Sequence, residues 1–372
     1  MLLRSLSART TAVLGLLACF GSTAIAADHY DLKPQTVELS SSGPLAFGPD
    51  GILFISDPKA ATVYAIDTKS YRSKTKADSD AYANDDLSKS IADIASKSDA
   101  DVTVADITID PESGTLFLSA TVGNEAKLLV ITPGADAKLV SLDKVMAAST
   151  TLENAPEDKV TGEGRRASNK RLESITDLAF AEGRLLISGL TGSSPVSTVQ
   201  SFAFPFRDSS TSSYIEIFHA AHGRNEDAAA IRAFIPLNID GKPSLLAGYT
   251  CTPLVRFSLD ALQSGSKVRG TTVAELGNMN RPLDMIVYEK DGEAYLLITN
   301  TARGVMKMKA ADIAEQSEVT EKVDGGGTAG LPFEKIESLT GVVQLAKLND
   351  QYGVILSEVD NKKLKLSTIE LP

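Results

Sequence analysis

Short apolar runs with a two-residue period recur along this chain, paired across turns rich in Asp and Gly, and helical spacing is confined to one polar stretch. The clearest copy runs from Gly43 to Ser56, with the turn Gly48-Pro-Asp-Gly51 between its two runs, and is followed by Thr62 to Asp67. Val104 to Ser119, followed by Leu128 to Ile131, repeats the pattern, and Ile175 to Ser188 is a third copy. A fourth comprises Ile231 to Leu237, the turn Asp240-Gly241, Ser244 to Tyr249 and Leu254 to Leu259. The fifth is Pro282 to Thr299, and the sixth joins Gly341 to Leu348, Gly353 to Ser357 and Leu364 to Leu371. Two β-rich runs joined by an Asp/Gly turn predict a hairpin, because those residues tolerate the positive φ that tight hairpin turns require.

Sheets of three or four such strands cannot bury both faces alone, and stacking them radially closes a ring. The expected fold is an all-β β-propeller of about six blades, or seven if one copy is degenerate. Val37 to Ser40 precedes the first copy and is expected to complete the sixth blade, closing the ring between the two ends of the chain. Two insertions break the rhythm. Residues 69–100 are polar, with Leu87, Ile91 and Ile94 at helical spacing behind Asp85 and Asp86, which predicts a short amphipathic helix laid against the ring. Residues 141–170 are rich in charge and contain Pro156, Gly162 and Gly164, which reads as a long loop.

The first copy, Gly43-Pro-Leu-Ala-Phe-Gly-Pro-Asp-Gly-Ile-Leu-Phe-Ile-Ser-Asp57 with Val63-Tyr-Ala-Ile-Asp67, resembles the NHL-repeat and gluconolactonase-like propeller group. The resemblance covers most of residues 27–372 as a rhythm, and copies one, two, three and five residue by residue. It implies a single propeller domain. From the hydrolases of the group it also implies a channel-mouth metal that polarises a carbonyl and activates water, with Asp177 and Asp284 as the first ligands to expect. The group's Glu-Asn-Asn-Asp metal set has no blade-by-blade match, since Gly43 and Pro44 stand where the first acid belongs. Propellers host enzymes, receptors and scaffolds alike, so function has to be argued from the site.

Residues 1–26 run from Arg4 and Arg9 through an apolar stretch, Thr11 to Phe20, to the small residues Ala24-Ile25-Ala26, the three-part layout of a cleaved export leader. The compartment expected is periplasmic or secreted. The apolar core is well short of the roughly 20 residues a transmembrane helix needs, and no later segment approaches that length. Leu16-Leu17-Ala18-Cys19 resembles a lipobox, but Leu17 and Phe20 fit it poorly, and a lipid anchor at Cys19 is not expected. Without the leader Cys251 is the one remaining cysteine, which excludes an intramolecular disulfide. The formal charge is −11, and the leader holds two arginines and no acid, so the remainder repels nucleic acid, which is not expected as a partner.

Within this acidic background, cations gather where the topology predicts one channel mouth. The segments leading into the inner strands of copies three, four and five hold Lys170 and Arg171 after Arg165-Arg166, then His219, His222 and Arg224, then Asn278, Asn280 and Arg281. Arginine forks there would focus attraction on a carboxylate or phosphate, or else pair with Glu173, Glu226 and Asp227. Tyr249 and Cys251, after the second strand of copy four, are expected to shape the wall of the site.

Aligning the strand starts superposes Asp106, Asp177 and Asp284. Three such carboxylates suit a hard divalent cation such as calcium, or serve as acceptors that order backbone N–H groups. His219-x-x-His222-x-x-x-Glu226 offers zinc-type ligands, but Gly223 weakens the helix that would put them on one face, and a strand would part the two histidines. Cys251 reads as a small packing residue or, with a histidine beside it, as a nucleophile. Gly325 to Gly330 fits a dinucleotide-binding glycine pattern, but no buried strand precedes it and Pro332 follows.

The function these residues predict is an exported propeller that binds a small anionic molecule or a partner protein at the mouth of blades three to five. One alternative is a metal-dependent hydrolase similar to the gluconolactonase-like propellers. Another is a subunit of an exported redox complex, resembling the large subunit of quinone-cofactor amine dehydrogenases in architecture alone, since the chain has no Trp to form such a cofactor.

Overall fold

The computed structural model describes residues 30–372 except 75, 76, 78, 99, 165, 166, 208, 209, 252, 263–265, 361 and 362. The leader-like segment with Cys19, together with His29, Arg165 and Arg166, lies outside the described residues. Six sheets, antiparallel except where Lys267–Arg269 runs parallel to Ser210–His219, surround a central channel, making the protein a six-bladed β-propeller with little helix. Numbered in chain order, the blades have as inner strands Leu45–Phe47, Val102–Ile109, Asp177–Ala181, Ile231–Ile239, Pro282–Lys290 and Val342–Lys347.

Each blade is apolar on both faces because it is sandwiched between two others, and the two-residue alternation sorts its side chains between them. In blade one, Ile52 and Phe54 point into a cluster shared with blade three, whereas Leu53 and Ile55 point into one shared with blade two. Six such clusters fill the six spaces between blades. Followed around the ring, they give the order two, one, three, four, five, six, and blade six then packs on blade two. The first two blades are therefore transposed relative to the chain.

The transposition explains where the expected topology fails. After Thr62–Asp67, the third strand of blade one, the chain passes beyond blade two to blade six. There Ala83–Asn84 pairs with Lys363–Glu370 as the outermost strand of blade six. Ring closure by Val37 to Ser40 is thus corrected: that segment is not a strand, and the nearby Lys33–Gln35 pairs instead with Val145–Thr151. Val145–Thr151 is itself a correction, since residues 141–170 were expected as a loop; it returns from blade two to complete blade one beside Thr62–Asp67.

Between these excursions Leu87–Ile94 forms a helix capped by Asp86, whose carboxylate accepts the Lys89 N–H, and buries Leu87 and Ile91 among residues of blades two and six. The seam between blades one and three is aromatic. Phe54 stacks on Phe180 at 5.8 Å and meets Phe204 edge-on at 5.0 Å, and Tyr30 stacks on Phe204.

Candidate functional site

The three superposed acids alternate around the ring, on blades two, three and five of the spatial order two, one, three, four, five, six. Each uses its carboxylate in the same way. Oδ1 accepts the N–H of the next residue, at 2.8 Å from Ile107, 2.8 Å from Leu178 and 2.7 Å from Met285. Oδ2 crosses to the inner strand of the following blade and accepts the N–H of Leu45, Phe234 or Leu345 at 2.7, 2.7 and 2.6 Å. The blades without an Asp are those that receive one, and this is why Pro44-Leu45 stands where an acid would otherwise be. Chemically this is the N–H-ordering role, tying the ring into three pairs of blades.

The channel cavity these acids line measures about 580 Å³ and is walled by apolar side chains such as Phe47, Phe234 and Met285 together with the polar Thr108, Lys347, Asn349 and Asp350. Burial raises the carboxyl of Asp106 to about 7. It raises Asp177 and Asp284 well above the usual range, where repulsion from Asp106 adds to it.

At the mouth where the inner strands begin, cations from three consecutive blades converge on one acid. The 3₁₀ turn Lys170–Glu173, held by Asn169, leads into blade three and carries Glu173. Lys170 Nζ lies 3.2 Å from Glu173 Oε1, and Arg232 of blade four lies 3.5 Å from Oε2. Arg281, just ahead of the inner strand of blade five, is held below the usual arginine range by burial and then by repulsion from Arg232, with Glu173 pulling the other way. Arg171 sits on the same turn, and its Nε is buried with no hydrogen-bond partner. Lys170, Arg232 and Arg281 thus face a single carboxylate, with Arg171 on the turn that carries it.

A second cluster lies beside this mouth, on the link from blade three to blade four. His219 ends the strand Ser210–His219, and the chain turns back at once, with the Gly223 N–H donated to the His219 carbonyl. Gly223 is required here: its φ is +66°, and a Cβ would come within 2.9 Å of the Lys322 side chain. The turn lays His222 over His219 with ring centroids 4.0 Å apart.

Glu226 receives both Nδ1 atoms at 2.8 Å, on different oxygens, and Arg224 Nε at 2.9 Å. Burial pushes the Glu226 carboxyl up, but the bonds from His219, His222 and Arg224 outweigh it and hold it at about 2. Cys251 completes the cluster. One ligand atom from each of His219, His222 and Cys251 lies within 4.8 Å of the others, the group of metal-ligating side chains that draws together among the described residues. Cys251 is a free thiol with φ +63°, positioned by its N–H bond to the Asn280 carbonyl.

The other expected contacts separate. Asn280 is corrected from a ligand contact to a buried strut, its amide bonding Asn300 and its oxygen accepting the Ala302 N–H. Tyr249 is wholly buried between blades three and four, inside the wall and not on it, and burial raises its phenol well above the ordinary value. Asn278 is exposed. Arg232 and Glu275 were missed. Arg232 is a charge inside an apolar run, Ile231-Arg-Ala-Phe234, and that interruption was the available signal. Glu275 ends an outer strand of blade four. It is fully buried, accepts the Ala221 N–H at 3.1 Å, and burial raises it to about 7.

No family model and no curated protein matches this chain. Among solved structures it is similar to the C-terminal WD40 domain of Sif2, at 8% identity over 92% of this chain and 98% of that one, TM-score 0.36. It is also similar to a putative 6-phosphogluconolactonase from Bacteroides uniformis, at 9% identity over 92% and 78%, TM-score 0.33. A PQQ-bound aldose sugar dehydrogenase from Streptomyces coelicolor matches at 10% identity over 91% and 96%, TM-score 0.31. These likenesses concern the fold alone.

Proposed function

We propose that this protein is an exported propeller that binds a small molecule bearing a carboxylate or phosphate at the mouth formed by blades three, four and five. The observation that carries the reading is the imbalance of charge there. Three cationic side chains, Lys170, Arg232 and Arg281, share Glu173, and the charge on Arg281 is disfavoured by burial and by Arg232 beside it, on a chain whose formal charge is −11. Like charges held together are stabilised by an anion between them, and planar guanidinium groups bind carboxylate and phosphate oxygens in pairs. Recognition on this rigid ring requires no covalent step.

The test is calorimetric titration with inorganic phosphate, succinate and citrate at low and high salt. Binding is expected to weaken with salt and to fall roughly tenfold or more in Arg281→Ala and Arg232→Ala, the loss of one charge-assisted bond. If none of the three anions binds at millimolar concentration, the reading is wrong. If the purified protein captures an acidic peptide and no small anion, the mouth serves a partner protein.

A further inference from the structure

We infer that His219, His222 and Cys251 form a binding site for a borderline-soft divalent transition metal ion, of which zinc(II) is the reference. The site is independent of the anion-binding reading, which rests on other side chains.

The chemistry of the ligand set comes first. Two imidazoles and a thiolate are the donors that zinc and its neighbours prefer over oxygen. Ligand atoms sharing one tetrahedral zinc lie roughly 3.3–3.8 Å apart, given the usual Zn–N and Zn–S bond lengths. One ring nitrogen of each histidine and the Cys251 thiol already lie within 4.8 Å of one another, so side-chain rotation within the cluster is what closure onto one ion requires.

Orientation of the histidines supplies the second, separate argument. A carboxylate only accepts hydrogen bonds, so both Nδ1 atoms facing Glu226 carry the proton, and the lone pair of each neutral ring is left on Nε2. A carboxylate that fixes the tautomer and aims the opposite nitrogen is the usual support of a metal-bound histidine. His219 is only 2% exposed, and its Nε2 has no hydrogen-bond partner. A buried acceptor left in that state costs about 1–3 kcal/mol, and a metal ion is a partner that removes the cost. The His222 side chain is 44% exposed and gives the ion a path from solvent. Three protein donors leave a fourth position for water or for a ligand.

The experiment is titration of the reduced, purified protein with cobalt(II) and zinc(II), read by absorption and by metal analysis after desalting. One ion per chain is expected, with a thiolate-to-cobalt charge-transfer band that zinc displaces, and zinc should raise the melting temperature. Cys251→Ser should abolish the charge-transfer band and weaken binding at least a hundredfold, and His222→Ala should weaken it similarly. Glu226→Gln, which disturbs only the support, should cost roughly 10–100-fold. Cys251 and His222 are not core residues, so both variants should melt like the metal-free wild type, which separates lost binding from lost folding. Absence of the charge-transfer band at micromolar protein and metal overturns the proposal. So does zinc binding that survives unchanged in Cys251→Ser and His222→Ala, which would place the ion elsewhere.

Discussion

Glu275 offers the most direct way to ask whether burial at the link between blades three and four has been read correctly. Its carboxyl is fully buried, and burial outweighs the backbone hydrogen bonds from Ala221 and Gly277 and raises it from 4.5 to about 7. An unfolded chain releases this proton near 4.5, whereas the folded chain keeps it to about 7. Between those values the folded state binds more protons, so stability is fully present below the lower value and is lost as pH rises through the window. Linkage puts the loss between pH 5 and pH 8 on the order of 2 kcal/mol.

Glu275→Gln keeps an acceptor oxygen for Ala221 and removes the titration. Urea denaturation of both proteins at pH 5 and pH 8 gives the difference directly. The variant should gain about 2 kcal/mol on the wild type between the two conditions, whatever its absolute cost. Asp106, Asp177 and Asp284 titrate in the same direction in both proteins, and distant sites are close to additive, so their contribution cancels. A stability difference that is the same at both pH values would falsify the assignment of a buried, proton-holding Glu275.

Asp177→Ala strips the acceptor from the amides of Phe234 and Leu178 and should cost about 2–4 kcal/mol at pH 5; a cost below about 0.5 kcal/mol in urea denaturation would show that the blade pairs are not pinned this way. Phe54→Ala opens the aromatic seam between blades one and three and should lower stability by about 3–5 kcal/mol by the same assay, with a smaller loss contradicting the packing described. Gly223→Ala places a Cβ at positive φ against Lys322 and should cost about 1–2 kcal/mol, together with weaker cobalt binding at His219 and His222, whereas unchanged values on both counts would mean the turn is not what joins them.

The hairpins were legible because their turn chemistry is local. Asp50-Gly51, Asp240-Gly241 and Asp291-Gly292 all adopt positive φ at both residues, as the dipeptides predict. The order of the blades was not, since an inner blade is apolar on both faces and its period says nothing about which neighbour it meets. Outer strands were harder still. Val145–Thr151 presents small residues with weak alternation, and Ala83–Asn84 is two residues long. At the site, the gathering of Lys170, Arg171 and Arg281 at one mouth followed from blade rhythm. The approach of His219 to His222 did not, because the helix that would pair them is weakened by Gly223, and it is a tight turn at that same glycine that joins them.

The transposed blade order also governs when the protein can finish itself. Residues 102–131 leave the ribosome early, but much of the apolar cluster they build is shared with residues 346–366 near the other end of the chain. Contacts that far apart in sequence form late and leave sticky surface uncovered in the meantime. In a propeller wound in chain order, the last segment synthesised shuts a seam beside the first. Here the gap lies around an early blade, so a chain cut short near its end would strand the second blade with half of its core missing, and aggregation of such fragments would begin there.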